Sequence, residues 1–177
     1  MNARQSGRWQ LLLLLAGFLL PMLLAAGMYR WQFWLPDSRT YHGQLLGTGQ
    51  LRADLGVQAS ETRWQLLVTT PGACAEDCRQ LVYLARQIHT GLGRDAGRAS
   101  HALAMGAGPA EGFEDYPQLR LLPLNLQRYR ALAPSDGRPR LWIVDPHGNL
   151  VLRYDAGVRG QDVLRDLRHL LKLSNIG

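Results

Sequence analysis

The 177-residue chain carries 20 basic residues against 14 acidic ones, a formal net charge of +6, and 46% of its residues are hydrophobic. That length allows one domain of ordinary size plus a further segment. Arg4, Arg8 and Arg30 account for half of the excess charge, and the other basic residues, all arginine but Lys172, are scattered among acids. With no basic block, no zinc-finger spacing and no aromatic residues interleaved with basic ones, nucleic-acid binding is not expected.

The N-terminus reads as a short basic stub followed by an uncharged run from Gln10 to Tyr29, rich in leucine from Leu11 to Leu15 and again around Phe18 to Leu24. At ~1.5 Å per residue a helix over this run can cross a hydrocarbon layer ~30 Å thick. Trp9, Tyr29, Trp31 and Trp34 stand where interfacial aromatic belts occur, and Pro21 is tolerable within such a helix. A cleavable signal peptide ending near Ala25-Ala26-Gly27 is the rival reading, but its apolar core is usually only ~7–15 residues, so an uncleaved anchor is favoured. Arg4 and Arg8 precede the span while Arg30 and Arg39 follow it, a balance that tips the N-terminus towards the cytoplasm. Leu35 to Ser38 leaves the span as a turn or linker, and residues 40–60, rich in Gly and Gln, read as an irregular lead-in with room for a short hairpin.

Beyond it the patterning becomes regular. Trp64 to Thr69 is a short, β-prone, largely apolar run stopped by Pro71, hence a buried strand. From about Ala75 to Leu92 the positions Leu81, Val82, Ala85, Ile88 and Leu92 follow helical spacing, with Gly91 and Gly93 ending it. His101 to Met105 supplies a second strand, so strand, helix and strand form a βαβ unit with a parallel pair. Residues 106–136 are hard to read, although Leu126 to Leu132 suits a short helix. Gly137 to Asp145 predicts a strand that opens at a proline, Pro146-His147-Gly148-Asn149 a turn, and Leu150 to Tyr154 the returning strand. From Gln161 to Leu173, Val163, Leu164, Leu167, Leu170 and Leu171 mark an amphipathic helix. The soluble part is therefore βαβ, a connection, then ββα, an α/β order.

The chemistry concentrates at Cys74 and Cys78, the only cysteines, placed between the first strand and the first soluble helix. Orphan amides and the positive end of the helix dipole favour a thiolate there. Residues four apart share a helical face, so the two sulfurs meet over the first turn. Glu76 and Asp77 lie between them and oppose the dipole's effect. Three readings stay open: thiol–disulfide exchange, a soft-metal site, and an inert structural disulfide. Two cysteines with none to spare suit an oxidising compartment. The five histidines, His42, His89, His101, His147 and His169, show no metal-ligand spacing. His89 and His169 read as surface residues, His147 as a hairpin-tip residue with a stray metal contact as its functional alternative, and Trp142 as core. No Ser–His–Asp arrangement or phosphate loop is legible.

The βαβ–ββα order, the cysteine pair at the first helix and the proline opening the third strand resemble the thioredoxin superfamily. Within it, the CxxxC spacing and the Asp145-Pro146-His147-Gly148 turn are similar to the SCO/SenC group, membrane-tethered proteins that help assemble the copper A centre of cytochrome c oxidase. The likeness runs from about Trp64 to Leu173. It implies a thioredoxin-like three-layer fold on an N-terminal transmembrane helix, divided as 1–35 stub and anchor, 36–62 linker and lead-in, and 63–177 domain. It also implies a cis-proline at Pro139 beside the cysteines, presenting backbone to substrate. Arg79 stands where the group has a proline, and Gly137 where it has its third copper ligand, a histidine. The functions implied are a thiol–disulfide oxidoreductase using Cys74, Cys78 and Pro139, a Cu(I) chaperone using Cys74 and Cys78, or an anchored assembly scaffold. The partners implied are a client protein's thiols, such as those of a cytochrome oxidase subunit, at the periplasmic face of a bacterial inner membrane.

Overall fold

In the computed structural model of the chain, the residues described are 3–31, 41–47, 49–108, 112–133 and 136–174. They fall into two compact units, 1–39 and 40–177. The first unit is one helix, α1, over Ala3–Trp31. Leu13, Leu14, Phe18, Met22 and Leu23 are all more than half exposed, so its apolar side chains form no one-sided stripe. Among the described residues no helix is long and apolar enough to cross a membrane. The side chains of residues 11, 12 and 25, within the uncharged sequence run, lie outside the described set, as do those of Tyr29 and Trp31, Trp34 and the 35–38 linker.

The second unit is built on one six-stranded sheet. Its strands are β1 (Gln44–Leu45), β2 (Trp64–Thr70), β3 (Ala99–Met105), β4 (Arg120–Pro123), β5 (Arg140–Val144) and β6 (Leu150–Asp155), in the spatial order β1-β6-β5-β2-β3-β4. β2, β3 and β4 run parallel, and β5, β6 and β1 complete the sheet antiparallel. Parallel neighbours cannot be joined by a tight turn. The chain therefore leaves β2 through helix α2 (Glu76–Gly91) and a 3-10 segment, Gly93–Arg98, before entering β3.

β2 is buried at all seven positions because both faces of the sheet are covered. One face, with Leu66, Val68, Leu103, Ile143 and Leu152, packs under α2 and the C-terminal helix α4 (Gly160–Leu173). The other, with Leu67, Ala102, Ala104, Trp142 and Val144, is covered by α3 (Leu126–Leu132) and the lead-in. Alternate residues of each strand thus serve different cores, as a period of two requires. Asn125 caps α3 by accepting from the N–H groups of Gln127 and Arg128. Trp142 is buried, and its indole N–H donates to Thr69 Oγ1 at 2.8 Å, so it is core.

The difficult middle of the sequence holds an edge strand, β4, which ends at Pro123 where the absent N–H costs no ladder bond. The lead-in is irregular yet integral: Leu55 and Val57 are fully buried against α3 and the sheet. By their contacts, residues 41–47 and 49–62 fall in the same compact unit as the strands. Their attachment is polar as well as apolar. The buried Asp166 of α4 accepts from the N–H groups of His42 and Gly43, from His42 Nδ1 and from the Tyr154 hydroxyl, at 2.8–3.1 Å. Burial first, and then that bond to Asp166, pushes the Tyr154 phenol well above its ordinary pKa.

Truncating a partner in a buried network leaves its donors unpaired. Asp166→Ala is expected to destabilise the domain by ~3 kcal/mol, and Tyr154→Phe by ~1 kcal/mol. Urea denaturation of the two variants checks the order.

Candidate functional site

The site begins where β2 leaves the sheet. Pro71 and Gly72 break the strand, and Ala73 to Ala75 carry the chain into α2 without joining it. Cys74 and Cys78 form a disulfide, with Cα atoms 5.1 Å apart. Cys74 therefore lies ahead of the helix rather than on its first turn, and Cys78 is the third residue inside it. Ala75 occupies the N-cap and offers no side-chain hydrogen bond to the first-turn amides. The dipole's positive end lies at this end of the helix, beside Cys78, and the exposed carboxylates of Glu76 and Asp77 oppose it. Cys78 is 1% exposed, whereas Cys74 is only partly buried. An outside reagent consequently meets Cys74 first.

The wall beside the disulfide comes from the loop after β3. Gly106 N–H donates to the Thr70 carbonyl at 3.0 Å. A Cβ on Gly106 would fall 2.5 Å from the Pro71 carbonyl oxygen and 2.3 Å from Leu126 Cδ2. Gly108, at φ +89°, lies against Ala73. Phe113 then enters the same core cluster as Cys78, edge-on to Tyr116, over which the Arg86 guanidinium sits at 4.7 Å. Sequence reading missed this loop, although Gly106-x-Gly108 directly after a strand was a signal of close backbone approach.

The second wall is the start of β5. Thr69 pairs with Arg140, so Pro139, one residue earlier, lies beside the end of β2 from which the cysteine loop departs. The buried Arg140 is held by Asp136 and Asp155 at 2.7–3.0 Å. The hydrogen bond to Arg140, aided by the Arg138 N–H, holds Asp136 at about 2. Pro139 is brought to the cysteines' end of the sheet, but the cis bond expected there is absent. No cis peptide occurs among the described residues, and Arg138–Pro139 is trans, which X–Pro bonds favour by about 0.5–1 kcal/mol.

Two other expectations are settled by register. Gln65 pairs with Val144, so the Asp145–Asn149 turn with His147 lies at the start of β2, opposite the disulfide. Seven strand residues separate the ends by about 20 Å, and His147 cannot serve the cysteines as a metal contact. Gly137 has φ +67°, a conformation that costs a residue with a Cβ roughly 1–2 kcal/mol. Among the described residues no three His, Cys, Asp or Glu side chains are grouped to hold a metal ion. Copper binding by Cys74 and Cys78 would first require their reduction, and the donors then present are two sulfurs without the third ligand.

A mixed sheet with a disulfide at the mouth of α2, a proline at the adjacent strand and helices on both faces defines a thioredoxin-like domain. The chain belongs to the transmembrane-like, thioredoxin-like family: its C-terminal-domain description matches residues 64–174 and the corresponding transmembrane-like N-terminal description matches residues 2–32. No curated protein sequence is detectably similar. Among solved structures, copper-bound ScoI of Arabidopsis thaliana superposes with a TM-score of 0.51 at 10% identity, over 65% of this chain and 88% of that one. Copper-bound yeast Sco1 gives 0.51 at 13% identity, over 64% and 81%. A DsbF homologue from Corynebacterium diphtheriae gives 0.51 at 12% identity, over 77% and 97%. The resemblance to the SCO group read from the sequence is thus matched in fold.

Because a side chain at 106 has no room, Gly106→Ala is expected to push the loop off Pro71 and expose the disulfide. Its reduction by dithiothreitol should proceed several-fold faster than in wild type, measured by thiol release.

Proposed function

We propose that the protein is a membrane-anchored thiol–disulfide oxidoreductase that reduces a client protein's disulfide during cytochrome c oxidase assembly, at the copper A centre. The observation that carries the redox part is the asymmetry of the pair: an accessible Cys74 ahead of an uncapped helix, and a buried Cys78 behind it. In the reduced protein, the Cys74 thiolate attacks a client sulfur and displaces the other as a thiolate, forming a mixed disulfide. Cys78 then attacks Cys74, closing the intramolecular disulfide and releasing a client with two thiols. Two electrons pass to the client, and a dithiol donor restores the pair. Pro139 aligns the incoming chain from the neighbouring strand. The oxidase setting rests on the fold shared with Sco proteins, and anchoring on the transmembrane-like family match over residues 2–32. The domain then faces the periplasm from a bacterial inner membrane.

Copper delivery is the second reading, favoured by the copper-bound state of the two Sco structures of like fold. It would draw on the same two sulfurs, held in the reduced state, to carry Cu(I).

Alkylation of the reduced full-length protein is expected to modify Cys74 before Cys78, read by peptide mass. Cells carrying Cys74→Ser with Cys78→Ser should assemble less oxidase, and added copper should not restore it. Restoration by copper would replace reduction with delivery, and normal oxidase levels would leave only a scaffold. A periplasm-dependent reporter fused after Gly177 should be active; activity only from a cytoplasm-dependent one would overturn the orientation.

A further inference from the structure

A second group of chemically capable side chains lies where β3 loses its neighbour. β4 pairs with β3 only from Ala102 to Met105, leaving the Ala99–His101 edge without a strand beside it. The end of α2 and the loop before β4 border this opening, which forms two adjoining cavities of about 540 and 250 Å³, both lined by His89, His101 and Gln118. The His89 and His101 rings lie 5.1 Å apart between centroids. His101 is 3% exposed and lines both cavities, and no hydrogen bond to its ring is found among the described residues. His89 is oriented by the strand edge: its Nε2 lies 3.2 Å from the Ala99 carbonyl oxygen. A carbonyl can only accept, so Nε2 carries the proton and Nδ1 keeps its lone pair.

We propose that His89 and His101 form a site for a late first-row divalent metal ion, of which Zn(II) is the type. Neutral imidazole is the preferred ligand of these ions, and a ligating histidine whose other nitrogen donates to a backbone carbonyl is the usual outer-sphere support. Rings this close allow one nitrogen from each to approach a common ion at about 2.0–2.1 Å. Gln118 and water fill the remaining positions. Of the nearby cations, Arg63 and Arg120 are both paired with Glu61 at 3.0 Å, and Arg86 sits over the Tyr116 ring. A bound ion would tie α2, whose first turn carries Cys78, to the free edge of β3. The site stands apart from the disulfide and does not depend on the redox reading.

The test uses the full-length oxidised protein in detergent, with Cu(II) as the probe because it binds nitrogen sites most tightly among the divalent ions. Calorimetry should give saturable binding, competed by Zn(II), and the electron paramagnetic resonance spectrum should show coupling to two imidazole nitrogens. His89→Ala and His101→Ala should each weaken binding by more than about tenfold, while His42→Ala and His147→Ala leave it unchanged. Thermal denaturation of the variants without metal shows whether each is folded, and if His101→Ala is not, the more exposed His89→Ala decides. Unchanged affinity in His89→Ala, or no saturable Cu(II) binding by the wild type, overturns the proposal.

Discussion

Burial of β2 on both faces is the constraint from which the rest of the domain follows. A strand with no solvent side needs a layer above and a layer below, and α2 with α4 supplies one while α3 with the lead-in supplies the other. Leu66, Leu67 and Val68, all fully buried, represent roughly 1.5–3 kcal/mol each of transfer free energy. Because β2 cannot shift by one residue without exchanging its two cores, the point at which it ends is fixed. That point is the Pro71-Gly72 break, and the disulfide follows within two residues.

The fixed end of β2 explains why the site is rigid on one side and open on the other. Cys78 is packed into the α2 core, so its position is set by the same contacts that hold the helix to the sheet. Cys74 precedes the helix and is tied to it by the disulfide, in a loop whose Pro71 and Ala73 are approached by Gly106 and Gly108. An exchange reaction needs this difference, since one sulfur must meet a client while the other waits in reach. The uncapped Ala75 adds free amides at the same place, whereas Glu76 and Asp77 stabilise the helix end at some expense to a thiolate.

Polar groups inside the domain are spent on attachment more than on chemistry. Asp166 binds the lead-in at His42 and Gly43 to α4, and Arg140 fixes the segment that carries Pro139. Arg52 of the lead-in reaches Gln65 of β2 at 2.9 Å from the opposite side. The His89–His101 pair differs from these, because the buried ring lies beside open space and makes no hydrogen bond among the described residues.

The sequence by itself determined the elements whose periodicity comes from burial. Trp64 to Thr69, the spacing of Leu81 to Ile88, the turn at Pro146-His147-Gly148 and the amphipathic run to Leu173 reappear as β2, α2, the β5–β6 hairpin and α4 within a residue or two. The cysteine pair was legible because proline, glycine and a helix start bracket it. What only the tertiary structure decided depends on contacts between residues far apart in the chain. Leu55 and Val57 belong to no periodic segment, so their full burial follows from α3 lying over them. The trans bond at Pro139, the remote position of His147 and the left-handed backbone at Gly137 are set by strand register and turn geometry. The meeting of His89 and His101 likewise arises because α2 crosses the edge of β3, an adjacency that no spacing in the sequence encodes.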